Sequence, residues 1–334
     1  MELQKIVFTD YIEDDLDWEK EQLKDLPCRV IPLQMKSSTP GELLAKIADA
    51  DILVVNMAVI DQRVIQGLKK CRLIIRHGVG YDNVDVMAAT DSGILVAHVP
   101  DYCVEEVAEQ TVMLMMALAR NLPVQSRTLR RSVKKGEWDF SKAKPLFRIR
   151  GKTVGIIGFG RIGSMVFRML QGFGVRTLVS DPHVSPDRLR DFGIGHTPMD
   201  ELLREADFIT VNVALNGETF HLFDGRAFSL MKRTAFLVHT SRGGVVDQKA
   251  LISALNEGRI AGAALDVYEY GEPPPSDSPL FQTKNLLLTP HLSWASQESE
   301  WAIRRRIVDT LRRVIGGEKP ENLLNEEIWR KTHE

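Results

Sequence analysis

Short apolar runs alternate with stretches of helical periodicity along the whole chain, the pattern of parallel strands joined by helical crossovers. In the first hundred residues the strand candidates are KIVFTD, CRVIPL, DILVVN, RLIIRHG and ILVAHVP, with helical GELLAKIADA and DQRVIQGLKK between them. The pattern restarts at TVGIIGFG and runs on through RTLVSDP, DFITVNVAL, AFLVHTS, IAGAALDVY and NLLLTPH. Between the two series, VEEVAEQTVMLMMALARNL (Val104 to Leu122) has unbroken helical character, and its mostly apolar surface points to burial between lobes or subunits. SQESEWAIRRRIVDTLRRVIGG is a further helix whose glycine pair is a common stop. LDVYEYGEPPPSDSPLF, by contrast, is an ordered loop, because Pro273, Pro274 and Pro275 fix φ and remove three backbone donors.

A pattern that restarts, in a chain of 334 residues, implies two domains, since single cores stop growing at roughly 250 to 300 residues. Composition adds exclusions. The 44% apolar and 26% charged fractions are ordinary for a globular protein. A net charge of -2 with interspersed signs gives no field suited to nucleic acid or a membrane surface, which leaves small molecules as partners. Cys28, Cys71 and Cys103 are too few and too scattered for a disulfide framework or a CxxC metal site, so they read as reduced thiols of a cytoplasmic protein without a metal. The start MELQKIVFTDYIEDDLDWEK lacks a signal-peptide core, and no run approaches the roughly 20 apolar residues of a membrane helix.

Chemistry concentrates at strand ends. Gly158, Gly160 and Gly163 form a GxGxxG between an apolar strand and an amphipathic helix. The first glycine permits the tight turn, the second lets backbone approach a pyrophosphate, and the third lets helix and strand pack closely. Phosphates then lie at the helix start, at Arg161 and Ile162. Asp181 follows Gly158 by 23 residues, where a carboxylate accepts ribose hydroxyls and repels a 2'-phosphate, so NAD is the expected cofactor; Pro182, His183 and Val184 supply no arginine for NADP. Arg242 ends FLVHTSR, where its planar fork suits a carboxylate or a ketone oxygen, although a lone arginine in a polar turn is ordinarily surface. His291 ends LLLTPH, where a group titrating near neutrality can carry a proton. In IIRHGVGYDNVD the amides of Val79 and Gly80 are placed to hold an anion, while a simple tight turn explains the glycines almost as well.

These motifs, in this order, resemble the D-isomer-specific 2-hydroxyacid dehydrogenases: GxGxxG with Asp181, HTSRGGVVD, GAALDVYE with EPPP, and TPHLSWAS. VGYDNVD, VPDYCVEEVAE, IRGKTVGIIGFGRIG and PPPSDSPL are most similar to the branch related to C-terminal-binding-protein corepressors. The resemblance extends from about residue 40 to residue 325. It implies an α/β protein with two Rossmann-like or flavodoxin-like parallel-sheet domains around a cleft. Residues 1-100 plus 293-334 would form the substrate domain and 101-292 the NAD domain, with hinges near Pro100 and Leu292. A homodimer is implied through the Val104 helix and GEWDFSKAKPLFRIRGK, and no regulatory domain of the kind many phosphoglycerate dehydrogenases carry.

The resemblance also assigns roles. His291 matches the acid/base. Arg242 matches the arginine on the carboxylate and carbonyl oxygen, with Val79 and Gly80 completing the carboxylate site. Asp266 matches the residue orienting the nicotinamide carboxamide, and Asn212, Ala214, Thr240 and Ser241 fall among the cofactor contacts. A glutamate should face the histidine, its charge favouring imidazolium. Here the count is ambiguous. The fifth residue after Asp266 is Gly271; Glu272 lies one late and Glu269 two early. An extra residue absorbed at Gly271 favours Glu272, with Glu269 as the rival and the third option that neither reaches His291. NVAL (Asn212 to Leu215) stands where His-x-Pro-Leu is usual, and LSW where AAW is common after the histidine. The expected activity is NAD-dependent interconversion of 2-hydroxy and 2-keto acids such as glyoxylate, hydroxypyruvate or pyruvate. Two rivals are a formate- or phosphite-type oxidoreductase, using Asn56, Met57, His77, Tyr81 and Tyr102 around a smaller anion, and a corepressor-like NADH sensor.

Overall fold

The computed structural model describes residues 3–333. Two compact units divide the chain, Met1–Tyr102 with Ser296–Glu334, and Cys103–Ala295. All the strand candidates form, five in the first unit and six in the second.

In the first unit β1 (Gln4–Phe8), β2 (Cys28–Pro32), β3 (Ile52–Val55), β4 (Leu73–Arg76) and β5 (Leu95–His98) make a parallel sheet ordered β2-β1-β3-β4-β5. Ile6 lies opposite Val30 and Ile52, and Val54 opposite Ile75. Successive side chains point to opposite faces, and both faces are covered, which is why the strands read as continuous apolar runs. Ile6, Phe8, Ile52, Val54 and Ile75 pack with Ile303, Ile307 and Leu311 of the helix Gln297–Ile315. Val7, Leu53, Val55 and Ile74 pack with Leu43, Ile47, Val64 and Ile65 of the helices Pro40–Ile47 and Gln62–Gly67. Each such side chain contributes about 1.5–3 kcal/mol of burial.

In the second unit β6 (Thr153–Ile157), β7 (Arg176–Ser180), β8 (Phe208–Val211), β9 (Phe236–His239), β10 (Gly262–Leu265) and β11 (Leu286–Leu288) form a parallel sheet ordered β11-β10-β9-β8-β6-β7. One face buries Val154, Ile156, Phe208 and Val238 against Leu114 and Met115 of the helix Val104–Ala119 and Val166 and Leu170 of the helix Arg161–Leu170. The other buries Ile157, Val211, Leu237 and Leu265 with Leu202, Phe228 and Leu251. Strand order reverses at β6, with β7 on one side and β8 on the other. In open α/β sheets the crevice beyond the carboxyl ends at such a point is where ligands bind.

The long helix is shorter than its periodicity implies. It ends at Ala119, Asn121 turns left-handed at φ 49, and a second helix, Leu122–Lys134, follows. Asparagine tolerates that backbone, and Pro123 suits the first turn of a new helix while disfavouring the interior of an old one. The helix Glu326–His333 was also not legible in the pattern. No helix among the described residues is long and apolar enough to cross a membrane.

Candidate active site

The glycine loop after β6 is built as the spacing requires. Gly158 adopts φ +85, and a Cβ there would lie 2.6 Å from the Asn212 carbonyl oxygen; one on Gly163 would lie 2.0 Å from the Gly158 carbonyl oxygen. A Cβ on Gly160 would meet nothing within 4 Å, and the helix it starts has no side-chain cap. Arg161 and Ile162 open that helix, so its first turn faces open space suited to an anion. Asp181 follows β7; its Oδ2 accepts from the Phe159 amide (2.7 Å) and its Oδ1 from the His183 amide (2.9 Å), which ties the acid to the glycine loop. After β8, the Asn212 amide nitrogen donates to Thr210 Oγ1 (3.1 Å). Asn212 Oδ1 is buried without a protein partner, an acceptor a ligand can satisfy. Ala214 follows on the same loop, and Thr219 Oγ1 donates to its carbonyl at 2.6 Å.

β9 delivers Thr240, Ser241 and Arg242. Thr240 is buried with its Oγ1 2.9 Å from Thr111 Oγ1. Behind Arg242 lies His239, which the sequence reading passed over because a histidine inside FLVH is bland. Burial pushes this imidazole down to about 4, so it is neutral. Its Nε2–H donates to the Arg242 carbonyl (2.9 Å), leaving Nδ1 to accept from Ser241 Oγ at 3.3 Å. His77, at the end of β4, is likewise pushed down to about 4 by burial and by Arg76. Both imidazoles stay neutral in the folded chain while the unfolded chain protonates them near 6.5. Their contribution is therefore complete above that value and is lost as pH falls toward 4. Calorimetry between those limits should show stability falling by about 3 kcal/mol per histidine, at ~1.4 kcal/mol per pH unit. A His239→Asn variant should flatten part of that slope.

β10 runs into Asp266, which is 0% exposed. Its Oδ1 accepts from Thr289 Oγ1 (2.5 Å) and the Leu292 amide (3.2 Å), and its Oδ2 from the Ser293 amide (2.8 Å) and Ser293 Oγ (2.5 Å). Both oxygens are thus bonded to the turn around His291, as a fully buried carboxylate requires. His291 sits at the centre of that turn at φ 56, a strained backbone for a non-glycine residue.

The ambiguous glutamates separate cleanly. Glu272 Oε2 accepts from His291 Nδ1, and its Oε1 from the Tyr268 amide at 3.3 Å. Burial pushes the Glu272 carboxyl up, but the bond from His291, its charge, the Tyr268 amide and Arg242 outweigh it and hold the group below the usual carboxylate value. Gly271 takes φ +105, a backbone in which a side chain would be strained. Glu269 instead pairs with His221, Oε1 to Nε2 2.6 Å. Since Nδ1 donates to Glu272, Nε2 is the imidazole nitrogen left to exchange a proton with a substrate. Arg242, Glu272 and His291 thus gather at the strand ends of one unit. Val79 and Gly80 lie in the other, after β4, where the Val79 carbonyl is 2.8 Å from His98 Nδ1.

The model for "D-isomer specific 2-hydroxyacid dehydrogenase, NAD binding domain" matches residues 112–293. The chain belongs to the D-isomer-specific 2-hydroxyacid dehydrogenase family. Members of this family are NAD-dependent oxidoreductases acting on CH–OH groups, and the second unit carries the NAD-binding domain. Among its relatives in the family, a glyoxylate reductase of Korarchaeum cryptofilum is 40% identical over 290 residues, covering 86% of each chain. A D-3-phosphoglycerate dehydrogenase of Methanocaldococcus jannaschii is 41% identical over 289 residues, 86% of this chain and 54% of that protein, so this chain spans about half of its length. A glyoxylate reductase structure from Paecilomyes thermophila superposes with TM-score 0.86 at 27% identity, covering 98% of this chain and all of that one.

Proposed function

We propose that this dehydrogenase reduces small unphosphorylated 2-keto acids, of the glyoxylate, hydroxypyruvate or pyruvate type, with NADH. The observation that carries the reading is the Glu272–His291 pair with Arg242 in electrostatic reach of the same carboxylate. Bound NADH would supply the hydride. Gly158, Gly160, Gly163 and the helix start at Arg161 and Ile162 would hold its phosphates, Asp181 its ribose, and Asn212, Ala214, Thr240 and Ser241 the strand-end side. Arg242 binds the keto acid's carboxylate and polarises its carbonyl, with the amides of Val79 and Gly80 proposed as further carboxylate contacts. His291 gives the Nε2 proton to the substrate oxygen. Glu272 stabilises the imidazolium form until that transfer, and Asp266 acts by holding the His291 turn.

An unphosphorylated acid is favoured because Asn56 is uncharged, His77 is neutral, and the Arg76 guanidinium is turned onto the His77 carbonyl at 2.8 Å. Relatives named glyoxylate reductase support the same substrate class. We further propose a homodimer through the outer face formed by Met113, Leu122, Leu129, Val133, Trp138 and Phe140, all large, apolar and exposed. A cytoplasmic location is supported by Cys28, Cys71 and Cys103 being free thiols.

The deciding test is NADH oxidation across glyoxylate, hydroxypyruvate, pyruvate and 3-phosphohydroxypyruvate, with NADPH as control. Turnover of the unphosphorylated acids with a clear NADH preference is expected. Equal rates with NADPH would overturn the role of Asp181.

A further inference from the structure

Two histidine–carboxylate pairs sit on one short turn, and only one of them has a place in the proposed chemistry. Glu272 meets His291. Glu269, three residues earlier, points the other way. Its Oε1 is 2.6 Å from His221 Nε2, on the loop after β8, and its Oε2 accepts from the Gln248 amide (3.0 Å), at the start of the helix after β9. The side chain of Glu269 is only 11% exposed, so this carboxylate has left water for two protein donors. His221 is itself fixed: it adopts φ 52, donates its amide to the Gly244 carbonyl at 2.9 Å, and stacks on Phe220 at 4.0 Å. The backbone of the turn is met from the other side by Gly243, where a Cβ would lie 2.1 Å from the Tyr268 carbonyl and 2.5 Å from the Glu269 nitrogen. Arg242 is therefore referenced to the same turn.

Glu269 thus joins the loops that follow β8, β9 and β10. Gly271, at φ +105 between the two acids, is a flexible joint in this turn, and its freedom adds conformations among which Glu272 would be misdirected. Within the turn, the Tyr268 amide reaches Glu272 only at 3.3 Å, a weak hold. Tyr268 Oη fixes the turn to the Thr289 carbonyl (2.6 Å), and the Glu269–His221 pair supplies a second anchor from the opposite side.

We propose that Glu269 and His221 are positioning residues that aim Glu272 at His291. This rests on the dehydrogenase reading for its catalytic consequence, but not for its geometry. Among the described residues the ionisable neighbours of Glu272 include His291, Arg242 and Tyr268; those of Glu269 include His221, Tyr270 and, through Tyr270, Asp247 and Lys249.

The test reads both levels. In the apoprotein, NMR titration of the His291 imidazole, its signal assigned by loss in His291→Gln, should move to lower pH in Glu272→Gln. It should move in the same direction in Glu269→Ala. Glu269→Gln, which keeps an oxygen for the Gln248 amide and a polar group facing His221, should restore most of the wild-type midpoint. His221→Gln probes the pair from its other end and stands in should Glu269→Ala not fold. In turnover, Glu269→Ala should lower kcat about tenfold, ~1.4 kcal/mol, and this loss should vanish in a Glu272→Gln background, because the two substitutions then remove one interaction. An unchanged His291 midpoint in both Glu269→Ala and His221→Gln overturns the proposal, as does a full, additive loss in the double variant. A wild-type chain that oxidises NADH with no 2-keto acid defeats the functional reading alone, since the titration needs no substrate.

Discussion

His291→Ala is expected to lower kcat for 2-keto acid reduction by about 10²- to 10⁴-fold, the range typical of a positioned general acid, while NADH affinity hardly changes. The geometry makes this the largest single effect. The orientation of His291 is set from two directions. Asp266 fixes the backbone on either side through Thr289, Leu292 and Ser293, and Glu272 holds Nδ1. Nε2 is therefore the ring nitrogen left open to a substrate. The φ of 56 at His291 adds that the turn overrides the local preference of its backbone. Steady-state kinetics with fluorescence titration of NADH would separate the steps. A variant that keeps kcat within about tenfold of the wild type, below the range of general-acid catalysis, would show that another group protonates the substrate.

Arg242→Lys should be nearly as damaging, lowering kcat/KM for the keto acid by about 10²- to 10³-fold, as for loss of one preorganised donor to a developing oxyanion. The charge is kept, so simple attraction of an anion survives. What is lost is the planar fork that can meet a carboxylate and a carbonyl oxygen together. The backbone that presents it would remain, since the neutral His239 imidazole still donates to the carbonyl of residue 242. KM for the keto acid should rise along with the fall in kcat, and the melting temperature should stay put. Retention of kcat/KM within about threefold, less than one hydrogen bond is ordinarily worth, would place the substrate carboxylate on other groups.

Both effects trace to residues visible as strand ends in the chain itself. The apolar runs marked every strand because sheets covered on both faces leave no polar alternation to confuse them. GxGxxG, Asp181, Arg242 and His291 were legible because each stands at a fixed offset from such a run. The break at Asn121 was not, since the apolar pattern runs on to Leu122 and the left-handed asparagine divides it before Pro123 is reached. His239 was hidden for a related reason: its importance lies in a carbonyl three residues on, which periodicity does not report.

The sequence by itself determined the two α/β units and the nucleotide loop and set Arg242 and His291 at strand ends, because these follow from local spacing and strand composition. Only the tertiary structure decided between Glu272 and Glu269. Within YEYGE the two acids are chemically alike, and their fates depend on partners 19 and 48 positions away, His291 and His221. Gly271 at φ +105 lets the turn point them in opposite directions. Tertiary packing likewise decided which donors Asp266 meets, since a carboxylate removed from water must bond to whatever donors the fold brings to it, and here those belong to the turn that carries His291.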